Sequence, residues 1–391
     1  MTIITRNTMS VRTIFIHTLA LSVALLSGCG PNNDSSSIAA WNLKAYTPAY
    51  AAHFTIDSCA DASSVIITVT DPWQGAGKVS ERLFVCRDGE TAPEGFDGQV
   101  LSAPPHRVVA MSSTHIAMLE AIGADSTLAG AAGTAYINSE RVKNRIDSIS
   151  DIGYEGNVNY ERLAALNPDL VLLYGINGSS SMVPRLRQMG IPYLYVGDYL
   201  EESPLGKAEW MVAVAEAMGC RARGDSAFAP IPERYKAIAT QAAAASTRPK
   251  VMLNAPYADA WMLPPEGSYA VQLINDAGGE YAGPRNTTNA SAPIGSEEAY
   301  LLLDSSDKWI NVGSMSSLSE LRRLYPRLSE TAPVTKGEVY NNTLRSIPGG
   351  GNDYYESGVV HPDLILRDLV KILHPELVSE DFVYYRRLPE K

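Results

Sequence analysis

Apolar positions change their spacing along the chain, and each change predicts a different kind of element. Arg6 and Arg12 lead into a largely apolar run from Ile14 to Leu26, closed by Leu26-Ser27-Gly28-Cys29. That layout predicts an export signal over residues 1–28. The run is shorter than the roughly 20 apolar residues a spanning helix needs. Residues 29–44 open with Gly30-Pro31-Asn32-Asn33-Asp34 and three serines, a polar composition that predicts a tether. Val65-Ile66-Ile67-Thr68-Val69 and Arg82-Leu83-Phe84-Val85-Cys86 are then β-type runs separated by Pro72, Gly75 and Gly77. They predict a β-rich extension over residues 45–102.

After Ala103-Pro104-Pro105 the pattern becomes short apolar runs alternating with helical spacing. Arg107-Val108-Val109-Ala110-Met111 passes through Ser112-Ser113-Thr114, a hydroxyl-rich cap, into Ile116, Met118, Leu119 and Ile122. The runs at 128–131, 170–174 and 193–196 are continuously apolar, as parallel strands covered on both faces should be. They predict a first α/β lobe over 103–222. Helical stretches follow in succession, and residues 223–247 are expected to form one long interlobe helix, begun or kinked at Pro230 and Pro232. Strand-type runs resume at Val251, Trp309 and Val339, so residues 248–391 predict a second lobe. The expected fold class is therefore α/β, with two doubly wound lobes, one interlobe helix and a small β-rich N-terminal extension.

Composition narrows the function. With 43 acids against 32 Lys and Arg, the net charge is −11. Phosphate binding rests on clustered Lys and Arg, so nucleic acid is not expected as a partner. Of the four cysteines, Cys29 sits at the cleavage point, where the sequence resembles a bacterial lipobox and implies lipidation. Cys59 and Cys86 are a possible disulfide in an oxidising compartment, leaving Cys220 odd. Neither a CxxC nor a Cys/His ligand spacing is present, so no metal site and no cofactor are expected.

Several motifs carry a family likeness: Arg107-Val108-Val109, Asn159-Tyr160-Glu161-Arg162-Leu163 leading to Asn167-Pro168-Asp169-Leu170-Val171, Ala277-Gly278-Gly279, and His374-Pro375-Glu376. Across about residues 104–378 the chain resembles the periplasmic binding proteins for iron chelates, haem and cobalamin. The resemblance implies a monomeric lipoprotein of the cell envelope, anchored through Cys29, that passes its ligand to the permease of an ABC importer. It also implies one exposed docking glutamate per lobe: Glu161 in the first, and in the second Glu298 ahead of its neighbour Glu297. Both acids equally suit a solvated first turn, where the helix dipole favours negative charge.

The ligand cleft is expected at loops following the strand C-termini. Large flat chelates need aromatic walls with a few polar contacts, and 20 tyrosines stand against six phenylalanines. The candidates are Tyr136, Tyr154, Tyr174, Trp261 and Tyr269, with His115 as an iron ligand and Arg345 as a partner for an anionic siderophore. Each has a plainer reading: a surface tyrosine with one wet edge, a hydrogen-bonded first-turn histidine, an arginine before the flexible Gly349-Gly350-Gly351 turn. The function so read is capture of an iron chelate, siderophore or haem, with cobalamin as the alternative ligand. An extracytoplasmic chelatase or hydrolase using the same cleft is the alternative class. GxSxG, HExxH and GxxxxGK[ST] are all absent, which argues against an enzyme.

Overall fold

A computed structural model of the chain describes residues 35–176, 178–257 and 260–391. The predicted export signal and Cys29 lie outside them. The first described unit is a five-stranded sheet: β1 (Leu43–Tyr46), β2 (Phe54–Ser58), β3 (Val65–Thr70), β4 (Ser80–Val85) and β5 (Gln99–Leu101), in that spatial order. β1 to β4 pair antiparallel and β5 runs parallel to β4. Alternation along the strands splits its side chains. Phe54, Ile56, Val65, Ile67, Val69, Leu83 and Val85 join the core of the first lobe, whereas Ile66 and Phe84 face a small cluster with Trp41.

Cys59 and Cys86 belong to that small cluster as buried free thiols, which corrects the expected pairing. They follow β2 and β4, which flank β3 on opposite sides. Two strand spacings, about 9.5 Å, exceed the roughly 7 Å between Cα atoms that a disulfide can bridge. The Cys86 thiol donates instead to the Glu90 carbonyl, 2.6 Å away.

The first lobe holds β6 (Val108–Ala110), β7 (Leu128–Ala131), β8 (Ser150–Asp151), β9 (Leu170–Leu173) and β10 (Tyr193–Tyr195), all parallel, in the order β10-β9-β6-β7-β8. Crossovers carry α1 (Ser113–Ala121), α2 (Glu140–Lys143), α3 (Tyr160–Leu166) and α4 (Val183–Met189). Then α5 (Pro204–Ala217), capped by Ser203, is buried almost throughout. Next come α6 (Arg221–Phe228) and α7 (Pro230–Ala243). Ala229 between them keeps helical dihedrals, so they run on as one rod interrupted where Pro230 lacks an amide hydrogen.

The second lobe contains β11 (Lys250–Leu253), β12 (Trp261–Leu263), α8 (Tyr269–Asp276), β13 (Glu280–Tyr281), β14 (Ala292–Ile294), α9 (Ser296–Asp304), β15 (Lys308–Ile310), α10 (Leu318–Leu324), α11 (Ala332–Thr335), β16 (Val339–Asn341), α12 (Pro362–Leu373) and β17 (Arg386–Arg387). Its sheet runs β13-β11-β15-β16-β17, parallel except for β17, and β12 pairs with β14 as a separate ribbon. In each lobe the first strand has neighbours reached in opposite directions: β6 lies between β7 and β9, and β11 between β13 and β15. Open α/β sheets bind ligands at the carboxyl ends of the strands around such switch points.

Candidate functional site

The loops that leave the two switch points face one another across the interlobe groove. On the first lobe, Ser112 ends the β6 segment and caps α1, accepting from the Thr114 amide at 3.3 Å. On the second, Asn254 follows β11 and Asn311 follows β15, both in the left-handed region at φ 64° and 65°. Asn tolerates that conformation better than most residues with a Cβ. Neighbours hold both in place. The Asn254 amide donates to the Met262 carbonyl at 2.9 Å, the Trp309 indole donates to the Asn254 carbonyl at 2.6 Å, and the Tyr385 hydroxyl donates to Asn311 Oδ1 at 3.1 Å.

Tyr355 is the hub of the groove. It lines four adjoining cavities of about 300, 210, 470 and 790 Å³. Its ring stands 4.9 Å from Tyr354 in an edge-on arrangement, its hydroxyl accepts from Asn342 at 3.3 Å, and it remains 52% exposed. Tyr269 and Tyr199 line the 300 and 210 Å³ cavities with it. In the smaller of these, the Lys207 ammonium lies 4.7 Å from the centre of the Tyr269 ring and 3.6 Å from the Asp198 carboxylate. Burial pushes the Asp198 carboxyl up and the Lys207 ammonium down. Tyr136, more than half exposed, lines the 790 Å³ cavity opposite Gly313, Ile347, Asn352 and Arg386. The Arg386 guanidinium donates to Thr343 Oγ1 at 3.2 Å and has no carboxylate partner among the described residues.

Five of the seven expected ligand residues line none of these cavities. His115 is expected at the cleft as an iron ligand, but α1 starts at Ser113 and turns this side chain into the core, fully buried. Neither ring nitrogen makes a well-aligned hydrogen bond; burial pushes its pKa down to about 3, and the Leu172 backbone nearby opposes this only in part. The imidazole is neutral and shielded, 6.5 Å from the Tyr174 ring. Trp261 is also buried, because the ribbon carrying it packs on the sheet; its indole donates to the Leu253 carbonyl at 3.0 Å and its ring lies 5.4 Å from Trp309. Arg345 is paired with buried Asp353 at 3.0 Å, its guanidinium 5.9 Å from the centre of the Tyr384 ring. Tyr174 is half-buried after β9 and Tyr154 is exposed, and neither lines the four cavities. Cleft residues not singled out among the sequence candidates are Tyr199, Tyr355, Arg386, Asn254 and Asn311. An asparagine directly after each of two apolar strand runs was the available signal for the last pair.

On the outer surface, Glu161 is exposed at the start of α3, where Asn159 Oδ1 accepts from the Arg162 amide at 3.0 Å. Glu298 is exposed at the start of α9. Its neighbour Glu297 accepts two hydrogen bonds from Arg327, at 2.6 and 2.5 Å, and that guanidinium holds its carboxyl below the usual range. Among the described residues no group of three or more His, Cys, Asp and Glu is arranged to hold a metal ion, and no helix is long and apolar enough to cross a membrane.

The family described as periplasmic binding protein matches residues 108–340. An uncharacterized lipoprotein of Methanocaldococcus jannaschii is 26% identical over 296 residues, covering 72% of this chain and 68% of the relative. Among solved structures, a periplasmic heme binding protein from Pseudomonas aeruginosa aligns with a TM-score of 0.56 at 18% identity, over 72% of this chain and 97% of that one. A periplasmic vitamin B12 binding protein of Vibrio cholerae aligns with a TM-score of 0.52 at 11% identity, over 69% and 96%. These structural likenesses show a shared two-lobed fold.

Proposed function

The chain belongs to the periplasmic binding protein family, and on that premise we propose that it is the substrate-binding lipoprotein of an ABC importer. It takes an iron chelate, siderophore or haem, between its lobes and hands it to a membrane permease without covalent chemistry. The observation that carries this reading is the groove around Tyr355, to which the first lobe gives Tyr136 and Tyr199 and the second lobe gives Tyr269, Asn254 and Asn311. Flat, bulky chelates bind through such surfaces, apolar on the face and hydrogen-bonding at the edge. Arg386 supplies the guanidinium for a carboxylate or catecholate of the ligand, the role first given to Arg345.

A corrinoid is the second reading. Asn254, Asn311, Asn342 and Asn352 all line the 470 Å³ cavity, and their amides complement a neutral macrocycle decorated with amides.

Delivery falls to Glu161 and Glu298. Both are exposed, and neither carboxylate has an ion pair or hydrogen bond to another described residue, so both are available to arginines of the permease. Lipidated Cys29 would tie the protein to the membrane in the extracytoplasmic space. The test is uptake of radiolabelled ferric siderophore, haem or cobalamin by cells carrying the Glu161→Ala/Glu298→Ala double variant. Uptake should be lost while the purified variant keeps the wild-type affinity. Normal uptake by the double variant would sink the importer role.

A further inference from the structure

The N-terminal sheet reaches the groove through one feature, the tip of the β3–β4 hairpin over residues 71–79. The turn is built for a tight reversal: Asp71, Gly75, Gly77 and Lys78 all have φ between 47° and 77°. Its base is closed by the Asp71 amide donating to the Val79 carbonyl at 2.8 Å and the Lys78 amide to Asp71 Oδ1 at 2.6 Å. From this base Trp73 lies 5.8 Å from the Tyr195 ring. It is so near the backbone after β9 that a Cβ on Gly175 would sit 3.2 Å from the Cβ of Trp73. The Gln74 amide donates to the Tyr199 hydroxyl at 3.3 Å, and Tyr199 in turn donates to the Gly175 carbonyl. The Gln74 side chain extends the other way and donates to the Asn289 carbonyl of the second lobe at 3.4 Å. One hairpin therefore touches both lobes at the flank of the groove.

Between hairpin and lobes lies a cavity of about 830 Å³. It shares Tyr199, Glu202, Gly267 and Asn289 as walls with the 300 Å³ interlobe cavity. Its remaining polar lining includes Asp71, Gln74, His53 and Gln272, and no Lys or Arg lines it. Carboxylates and amides without a cation accept hydrogen bonds from amines, amides and hydroxyls, and disfavour a buried carboxylate or phosphate.

Deepening the capture reading, on which it rests, we propose that the hairpin is a third wall of the ligand site. The cavity it closes is a subsite for an amine-, amide- or hydroxyl-bearing arm of the chelate whose ring or metal core sits at Tyr355. Trp73 supplies the face and Gln74, Glu202 and Asn289 the acceptors. This gives the N-terminal sheet a part in selecting the ligand: neutral and cationic arms are admitted and anionic ones refused.

The test uses the full mature chain and two matched pairs of probes. Ferrioxamine B, which carries a free amine, is set against its N-succinyl derivative, and cyanocobalamin against its monocarboxylic acid. Binding is followed by tryptophan quenching. For the core that binds, the wild type should prefer the uncharged or cationic member by about tenfold or more. Glu202→Gln should shrink the preference for the amine, and Gln74→Ala should weaken both members of the pair. Equal affinity within the pair, or a preference unchanged in both variants, would overturn the subsite and leave capture standing. Binding of haemin alone, with neither pair recognised, would do the same. If the wild type binds none of the five probes, the capture reading falls as well. Near-ultraviolet circular dichroism of each variant separates a lost contact from a lost fold.

Discussion

Two seams in this molecule are built on opposite principles. Where the N-terminal sheet meets the first lobe, buried carboxylates collect backbone amides. Glu209, on α5, accepts from the Tyr46 hydroxyl at 2.6 Å and from the amides of Ala49, Tyr50 and Ala51 at 2.7–2.8 Å. Glu201 accepts from the amides of Ala52 and His53 and from the Trp210 indole. Phe54 then lies 4.9 Å from Trp210 beneath them. Where the two lobes meet, comparable anchoring among the described residues is confined to Glu356, which accepts from the amides of Asn138 and Ser139 at 2.7 and 2.8 Å. Beside that anchor the groove opens into cavities around Tyr355. The sheet is held on the first lobe by polar anchors, whereas the lobes are joined by one such anchor and by apolar packing of α1 and α5 against Val359, Val360 and α12.

Substitutions can break or sharpen this contrast. The largest effect is expected from Glu209→Ala, which strands a hydroxyl and three amides in a buried seam. A loss of about 4 kcal/mol, read as a fall in thermal midpoint, follows from removing one partner of a buried charged network. Glu356→Ala strips the anchor between the lobes and should cost about 2–3 kcal/mol by the same measurement. If it cost as much as Glu209→Ala, the seams would not differ as described. Tyr355→Ala should weaken ligand binding tenfold to a hundredfold, about 1.5–3 kcal/mol by titration. Because that ring is half-exposed, it should leave the thermal midpoint nearly unchanged.

His115→Leu should act in the opposite direction. It replaces a buried imidazole that makes no well-aligned hydrogen bond, and a gain of about 1 kcal/mol is expected from denaturant unfolding. The variant also carries a pH signature. The unfolded histidine takes up a proton near its ordinary 6.5, whereas the folded one resists until about 3. Folding is thus increasingly opposed as pH falls through that window, by up to about 1.4 kcal/mol per unit. The buried carboxyls of Glu201 and Glu356 are raised by burial and act the other way, contributing stability at low pH that is lost as pH rises through their folded values. Stability of His115→Leu should therefore fall less on acidification than that of the wild type.

How much of this was legible beforehand follows from which forces are local. Runs such as Leu170–Leu173 announce parallel strands because both faces of a covered sheet must be apolar, and the two-lobed fold class followed from them. The cleft was legible as a set of loops, since ligand sites gather at strand carboxyl ends. Individual side chains were harder. His115 and Trp261 stand within a residue or two of cleft loops, and one step along a helix or strand turns a side chain from groove to core. Arg345 was lost to Asp353, a partner eight positions on. The seam at Glu209 was not legible at all. A glutamate on an otherwise buried helix looks like an error until the amides of residues 49–51, far away in sequence, come to meet it.

The most direct test of the central claim is titration of the purified mature domain with haemin, cyanocobalamin and ferric siderophores in turn, following tryptophan quenching and the absorption spectrum. The account predicts that one of them binds with Kd below about 1 µM and that Tyr355→Ala weakens that binding while the fold is kept. Failure of every chelate to bind, or binding indifferent to Tyr355, would contradict it.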